Sequence, residues 1–226
     1  MKFIDMPKKN KDLLVYIERN SLTFGGGLFD DVVKISLDEK IISDLEIVDK
    51  KQFIEIVQSQ VKKSEIITNL ILIFSNNASF FKELPIDSTK EQLNLAEKGF
   101  LSLIPFDRVA HKLIKFTKHY QLVGINLGMR DILKEALMPL GYKPLVTIPA
   151  IAISGFDHNV GLNGAAMDQI ESKLASLKSL NLSETSNESN ESLVNQVTTQ
   201  KKSYLPILVG VFLVLICLLT LLLLRR

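Results

Sequence analysis

The sequence predicts an α/β domain with a mixed β-sheet, followed by one C-terminal transmembrane helix. Short apolar runs with strand character alternate with segments whose apolar residues recur at helical spacing, a pattern typical of α/β proteins. A polar stretch rich in Ser, Asn and Glu then precedes an uncharged, almost wholly apolar run at residues 204–224. These observations divide the chain into a folded head, a tether and a membrane anchor.

Three strands are predicted at the start of the head, at residues 12–18, 21–24 and 32–37. Each is a short run with the apolar character of a buried or half-buried strand. The last two runs are separated by Gly25, Gly26 and Gly27 and by the pair Asp30 and Asp31. Because glycine and aspartate favour turns, we expect a hairpin between these two strands.

A helix is predicted over residues 49–63, with Asp49 as its N-cap, because apolar residues recur there on one face. The predicted inward residues are Phe53, Ile54, Val57 and Val61. Residues 69–74 form a continuous apolar run, which is expected of a central strand covered on both faces.

A second helix is predicted over residues 87–103, after an extended piece that Pro85 ends. Asp87 or Ser88 is the expected cap. The predicted inward residues are Leu93, Ala96, Phe100 and Leu103.

Two antiparallel strands, at residues 109–117 and 121–126, are predicted around a turn at Tyr120. Residues 129–140 predict a helix that Pro139 and Gly141 end. A last strand and a short amphipathic helix follow at residues 143–148 and 170–177. The predicted order is β-β-β-α-β-α-β-β-α-β-α, within a head that spans residues 1–178.

The apolar run at residues 204–224 predicts the membrane anchor. A helix of this length measures about 31 Å, which matches a hydrocarbon core of about 30 Å. Lysines precede the run and Arg225 and Arg226 close it, as expected of charges at the two interfaces. Residues 180–200 have few apolar side chains to bury, so we expect a disordered tether at residues 179–203.

The expected topology is a single pass through the inner (cell) membrane with the head in the cytoplasm. Lys and Arg are equally frequent on the two sides of the span, and residues 1–20 show no apolar core of a secretory signal peptide. Cys217 lies in the middle of the span, where we expect an apolar packing residue rather than a lipidation site.

Composition excludes several classes of function. The formal net charge of +2 gives no sign of a nucleic-acid-binding protein. A single cysteine cannot form a disulfide or a thiolate metal site within one chain. The expected partners are therefore the lipid bilayer and other proteins of a membrane assembly, with no nucleic acid.

Two glycine-containing segments are candidates for phosphate or anion binding. Gly25, Gly26 and Gly27 lack the Lys-Ser/Thr and the helix of a phosphate-binding loop, which favours a hairpin turn. Gly161 and Gly164 precede a helix and could bind an anion, but a plain helix entry is the preferred interpretation.

Metal-dependent nuclease chemistry would need several carboxylates that converge on two ions. The available acids are Glu18, Asp30, Asp31, Asp44 and Asp49, and the predicted central strand carries none.

General-base chemistry has two candidates, His111 and His119. No Ser or Cys nucleophile motif accompanies them, so we expect both at the surface. Together with the weak glycine and carboxylate patterns, this predicts no catalytic, cofactor-binding or metal-binding residue and no cofactor.

The motifs from residue 84 onwards resemble a known family. They are Leu84-Pro85, a helix with Glu91, Leu93 and Ala96, then Leu103-Ile104-Pro105-Phe106, Gly141-Tyr142-Lys143-Pro144 and Ile148-Pro149-Ala150-Ile151-Ala152. Their order and spacing are similar to those of PilM-type proteins, actin-like components of type IV pilus assembly related to FtsA. The resemblance covers about residues 13–153. It implies a ribonuclease-H-like, actin-like half domain with a small inserted α+β subdomain at about residues 76–127.

The sequence departs from nucleotide-binding members of that fold. Actin-like ATPases place a glycine between their first two strands, where backbone N–H groups approach phosphate. Here the turn reads Glu18-Arg19-Asn20-Ser21, and too few residues follow Ala152 for a second nucleotide-binding half. The resemblance therefore implies a nucleotide-free half domain, truncated and fused to the transmembrane helix.

Three functions stay open from the sequence. The first is a non-enzymatic, membrane-anchored scaffold of a pilus or secretion machine, whose strands at residues 109–117 and 121–126 offer edges to a partner strand. The second is a membrane-anchored nucleotide-binding or metal-dependent enzyme on a ribonuclease-H-like fold. The third is a membrane adaptor without a link to pili.

Overall fold

The computed structural model describes residues 12–182, which form ten strands and four α-helices. The strands are β1 (Leu13–Ile17), β2 (Ser21–Gly26), β3 (Val33–Ser36), β4 (Ile42–Ser43), β5 (Glu46–Ile47), β6 (Thr68–Phe74), β7 (Phe80–Pro85), β8 (Val109–Lys115), β9 (His119–Asn126) and β10 (Tyr142–Pro149). The helices are α1 (Lys50–Gln60), α2 (Lys90–Leu101), α3 (Leu127–Leu137) and α4 (Gly164–Leu177).

The main sheet is mixed and has the order β10-β6-β1-β2-β3. Strands β1, β2 and β3 are antiparallel neighbours, whereas β6 and β10 run parallel to β1. Every residue of β1 is buried, as is nearly all of β6, because both strands lie in the middle of the sheet with helices on both faces. The predicted α/β class, the three N-terminal strands and the central strand are confirmed.

Two hydrophobic cores lie on opposite faces of the main sheet. The odd-numbered residues of β1 pack with α1 and α3, and the even-numbered ones with α4. Alternate residues of a strand point to opposite faces, so a continuous apolar strand supplies both cores. In α1 the predicted N-cap is confirmed, because Asp49 accepts a hydrogen bond from Gln52 N at 2.9 Å. Phe53 and Val57 are fully buried, as predicted.

A second, three-stranded antiparallel sheet has the order β7-β9-β8. Phe100 and Ile104, at and just beyond the end of α2, pack on one face at Gly124. A Cβ atom on Gly124 would lie 2.6 Å from Ile104 Cδ1 and 3.3 Å from Phe100 Cε1. Glycine is therefore required at this close approach between strand and helix.

Several details of the second half differ from the predictions. The cap of α2 is Thr89 in a capping box with Gln92, and neither Asp87 nor Ser88 takes that place. Leu103 is 77% exposed, because the helix ends at Leu101 and the chain turns before it. Tyr120 lies within β9, since the turn is formed by residues 116–118.

Three features at other places were missed or shortened by the sequence pattern. The predicted order has no strand between β6 and α2, where only an extended piece ending at Pro85 was expected, and the structure has β7 there. The β4-β5 hairpin is too short to show a period, and its turn holds Asp44 and Leu45 at φ values of 48° and 70°. Helix α4 begins at Gly164 with Asn163 as its N-cap, earlier than the predicted residue 170.

The predicted anchor at residues 204–224 lies outside the described residues, as does most of the predicted tether. None of the helices between residues 12 and 182 combines the length and apolar character that a bilayer crossing needs. The first residues of the predicted tether, up to Leu182, lie against the head, and Leu182 is 2% exposed.

Candidate docking surface

Strand β7 forms one outer edge of the three-stranded sheet. In an antiparallel ladder, residues alternate between pairs that exchange backbone hydrogen bonds and pairs that do not. The bonds from Leu127 N to Arg108 O and from Phe116 N to His119 O direct the odd-numbered residues of β9 towards β8. The even-numbered residues of β9 therefore bond to β7.

The register then fixes which backbone groups of β7 point outwards. Phe80, Lys82 and Leu84 lie opposite the even-numbered residues of β9. Phe81 and Glu83 consequently direct their N–H and C=O groups away from the sheet. The Glu83 side chain is 70% exposed. This β7 edge, residues 81–83, has the geometry that strand addition by an extended peptide requires.

One of the two strands predicted as docking edges is not an edge. Residues 121–126 belong to β9, which pairs with β7 on one side and with β8 on the other, so no partner strand can be added to it. Strand β8 is an edge, as predicted. Its Lys112 makes an internal contact, however, since Nζ donates to the carbonyls of Ser179 and Asn181 at 2.6 and 3.4 Å.

Residues 178–182, here called the exit segment, lead from the head towards the C-terminus. They bind the outer edge of β10: Leu182 N donates to Thr147 O at 2.7 Å, and Thr147 N donates to Asn181 Oδ1 at 2.7 Å. Burial lowers the pKa of Lys112, whose ammonium group reaches the same segment from β8. The exit segment thus joins the main sheet to the three-stranded sheet.

A buried arginine completes the attachment of the exit segment. Arg130 is 1% exposed, and its Nη1 donates to the carbonyl oxygen of Leu182 at 3.1 Å. Its Nε and Nη2 donate to Asp131 Oδ1 at 3.1 and 2.9 Å, and Arg108 Nη2 lies 3.0 Å from the other carboxylate oxygen. Arg130 was not predicted as a functional residue from the sequence. The sequence does contain a sign of its burial, because Arg130 is three residues from both Leu127 and Leu133 and so lies on the apolar face of α3.

The three glycines near the end of β2 pack against the start of β1 and against α4. A Cβ on Gly25 would lie 2.4 Å from Met167 Sδ, and one on Gly26 would lie 2.3 Å from Asp12 O. Gly26 and Gly27 have φ values of 70° and 56°, which favour glycine. The predicted hairpin between β2 and β3 is confirmed. Close packing explains why three consecutive glycines occur here, with no need for a role in phosphate binding.

The second glycine pair forms a helix entry, as predicted. Asn163 accepts a hydrogen bond from Ala166 N at 2.8 Å and so caps α4, which begins at Gly164. Gly161, at a φ of 74°, lies against the ring of Tyr16.

The structure does not bring the candidate carboxylates together, and four of the five have separate partners. Glu18 Oε2 accepts from Ser21 Oγ at 2.8 Å and lies 2.5 Å from Lys34 Nζ. Asp44 pairs with Arg19. Asp49 caps α1, and Asp31 accepts from the N–H of Val32, while Asp30 is exposed. Within residues 12–182 no group of three His, Cys, Asp or Glu side chains has the arrangement of a metal site.

The two histidines have different environments. His111 was predicted at the surface, which is wrong: its side chain is 7% exposed and its Nε2 lies 2.8 Å from Glu97 Oε1 of α2. His111 lies on the face of β8 that packs against α2. The alternation of residues along one strand does not show which of its faces a helix covers. His119 is partly exposed and stacks on Phe116 with a centroid distance of 5.0 Å.

A buried tyrosine lies where the parallel strands end. Tyr16 is 3% exposed and packs against Phe156 at a centroid distance of 5.5 Å. Burial, with a smaller contribution from the Glu18 carboxylate, raises the pKa of Tyr16 to about 12. The phenol therefore stays protonated at neutral pH and serves as a packing group.

Comparison with known proteins gives partial structural similarities. No protein-family model matches the sequence, and no curated protein matches it. A solved PilM-PilN type IV pilus biogenesis complex matches 64% of this chain and 48% of its own, with 12% identity and a TM-score of 0.41. The cytoplasmic domain of EpsL, an inner-membrane component of the type II secretion system of Vibrio cholerae, matches 65% of this chain and 60% of its own, with 11% identity and a TM-score of 0.39.

A third solved structure is a protein of unknown function with an actin-like ATPase fold from Bacteroides thetaiotaomicron. It matches 63% of this chain and 55% of its own, with 16% identity and a TM-score of 0.37. In all three cases the match spans only about half to three fifths of the solved chain. At this level of similarity, the activities and partners of those proteins do not carry over to this chain.

Proposed function

We propose that this protein is a non-enzymatic, membrane-anchored scaffold that binds another protein of a type IV pilus or related secretion machine. The observation that carries the scaffold role is the β7 edge, where Phe81 and Glu83 direct backbone donors and acceptors outwards that pair with no other strand among residues 12–182. Such an edge accepts an extended segment of a partner, and the partner proposed is an inner-membrane protein of that machine.

The pilus or secretion context rests on the sequence resemblance. Leu84-Pro85 and Gly141-Tyr142-Lys143-Pro144, which carry part of it, end β7 and begin β10. The first of these motifs thus lies at the end of the proposed docking strand. Chemical cross-linking in intact cells, followed by purification of the full chain, should recover inner-membrane proteins of such a machine. Recovery of none of them from cells that make the machine would contradict this context.

The contacts made by Glu18 in the turn between β1 and β2 support the non-enzymatic part of the proposal. Glu18, the one acid in the β1-β2 turn, is bound by Ser21 and by the Lys34 ammonium group. Gly25 and Gly26, at the opposite end of the β1-β2 pair, are packed against α4 and the start of β1. The alternative is a nucleotide-binding or metal-dependent enzyme on the same fold. Addition of millimolar ATP with Mg²⁺, or of Mn²⁺ alone, to the full chain in detergent should leave its melting temperature unchanged. A rise of several degrees would favour the enzyme.

The anchor is tested separately. The full chain should stay in the membrane pellet during extraction with alkaline carbonate. Replacement of Leu213 and Val214, in the middle of the predicted span, by arginine should release it, because each arginine at a helix centre costs about 2.5–3.5 kcal/mol. Release of the unchanged chain would contradict the anchor, and the paired replacement of Ser186 and Ser189 by arginine serves as the control.

A further inference from the structure

An apolar surface lies at the end of the main sheet where β6 and β10 begin. Ile66, Ile67 and Met138 are 50%, 78% and 58% exposed. Ile66 and Ile67 directly precede β6, and Met138 directly follows α3. Large apolar side chains that are exposed together mark a surface that interacts with something else.

The backbone around these three residues is held by hydrogen bonds. Ser64 N donates to Leu140 O at 2.8 Å, and Thr68 N donates to Gly141 O at 3.0 Å, so the two loops that carry the apolar residues are tied together. Gly141, at a φ of 91°, allows the close approach: a Cβ there would lie 2.8 Å from Ser64 O. The apolar side chains are therefore presented by a braced pair of loops.

Charges around this surface are mostly positive. Lys62, Lys63 and Lys143 are exposed on the same two loops and at the start of β10. The exposed acids nearby are Glu65 and, in the last turn of α3, Glu135, whose carboxylate pairs with Lys50 at 2.7 Å. Tyr142 Oη donates to the carbonyl of Lys62 at 2.9 Å, which links the lysine pair to β10.

We infer that this surface, called the strand-entry patch and formed by Ile66, Ile67, Met138, Lys62, Lys63 and Lys143, docks the head on the anionic headgroup region of a bilayer. Exposed apolar side chains flanked by lysines are the features that bind proteins to a membrane interface. Lysines near an anionic surface are attracted to it, and the apolar side chains add to this by burial among the headgroups.

The excess of positive charge beside exposed apolar side chains complements the surface of an anionic bilayer. The inference goes beyond the proposed scaffold role and does not involve the β7 edge. It rests on the proposed anchor, which would hold the head close to a bilayer, and the strand-entry patch would fix which side of the head faces that bilayer.

The absence of tryptophan from the sequence makes a direct test possible. Ile67→Trp places the one fluorescent indole of the chain in the patch. Leu95→Trp, at a residue of α2 that is 74% exposed, is the matched control. Each full-length variant is reconstituted in nanodiscs with brominated acyl chains, composed either of phosphatidylcholine alone or of phosphatidylcholine with one third phosphatidylglycerol.

We expect the Ile67→Trp protein to be quenched at least twofold more than the Leu95→Trp protein in the anionic nanodiscs. The difference should disappear in phosphatidylcholine alone and when Lys62→Glu and Lys63→Glu are added. Equal quenching of the two variants in the anionic nanodiscs would overturn the inference. So would quenching that does not depend on lipid charge, or an emission shift that follows protein concentration in detergent and thus reports a second copy of the chain.

Discussion

Arg130 and Leu182, 52 residues apart in the chain, are joined by a buried hydrogen bond from Nη1 to the backbone carbonyl at 3.1 Å. The bond fixes the exit segment to α3, while Thr147 and Lys112 fix it to the main sheet and to the three-stranded sheet. The chain therefore leaves the head from a point that is bound to three elements.

Replacement of Arg130 should destabilise the head strongly. Arg130→Met removes the donors to Leu182 O and leaves a buried carbonyl without its partner, so we expect a loss of about 3 kcal/mol in the free energy of unfolding. Arg108→Ala is the control, because Arg108 pairs with the same Asp131 from an exposed position and should cost less than about 1 kcal/mol. Urea denaturation of both full-length variants in detergent gives the comparison, and equal losses would contradict the role of Arg130.

The cap of α2 can be assigned by substitution. Thr89→Ala removes the side chain that accepts from Gln92 N and should cost about 1 kcal/mol. Asp87→Ala and Ser88→Ala, at the two positions that the sequence favoured, should each change the free energy of unfolding by less than about 0.5 kcal/mol. A larger effect at either position than at Thr89 would show that the helix begins earlier than Lys90.

Asp44, in the turn between β4 and β5, has a backbone conformation that is unfavourable for most residues. The residue has a φ of 48° and its carboxylate pairs with Arg19. Asp44→Val should destabilise the protein by about 1–2 kcal/mol, because a β-branched residue is poorly accommodated at positive φ. Asp44→Asn should be nearly neutral, since asparagine tolerates that conformation and the exposed ion pair contributes little. Thermal unfolding of the two variants and of Arg19→Ala separates the backbone effect from the ion pair.

The raised pKa of Tyr16 predicts a loss of stability at high pH. Its value of about 12 in the folded protein lies above the usual value of 10. Between these two values the unfolded chain has lost the phenolic proton and the folded protein keeps it, so the unfolded state binds fewer protons. The contribution of Tyr16 is therefore complete below pH 10, and between pH 10 and about 12 it falls by up to about 1.4 kcal/mol per pH unit.

Tyr16→Phe removes this titration. The difference in free energy of unfolding between the two proteins should change in favour of Tyr16→Phe as the pH rises from 9.5 towards 11.5, and other groups cancel in that difference. A difference that does not vary with pH over this range would contradict the shift.

Local sequence patterns predicted the parts of the fold that depend on one segment at a time. The apolar runs of β1 and β6 could be assigned because burial on both faces requires continuous apolar residues. The cap of α2 could not be resolved, since Asp87, Ser88 and Thr89 are three consecutive residues that can all cap a helix. The spacing of apolar residues in the helix does not show which of these three residues is the cap.

Features that depend on distant segments were beyond the sequence patterns. The burial of His111 follows from α2 packing over β8, and the central place of β9 follows from its pairing with both β7 and β8. Neither the packing of α2 nor the pairing of β9 can be inferred from the alternation of residues within one strand. The β7 edge and the Arg130 contact therefore became visible only with the structure, and they are the features on which the proposed docking and attachment depend.

The most direct test of the scaffold proposal is a comparison of two substitutions at Glu83. Glu83→Pro removes the outward N–H of the β7 edge, whereas Glu83→Ala removes the same side chain and keeps the N–H. Each full-length protein is cross-linked in cells and purified from membranes, with circular dichroism to verify folding. We predict that the inner-membrane partner recovered with the unchanged chain is also recovered with Glu83→Ala and is reduced at least tenfold with Glu83→Pro. Equal recovery with the two folded variants would contradict docking at this edge.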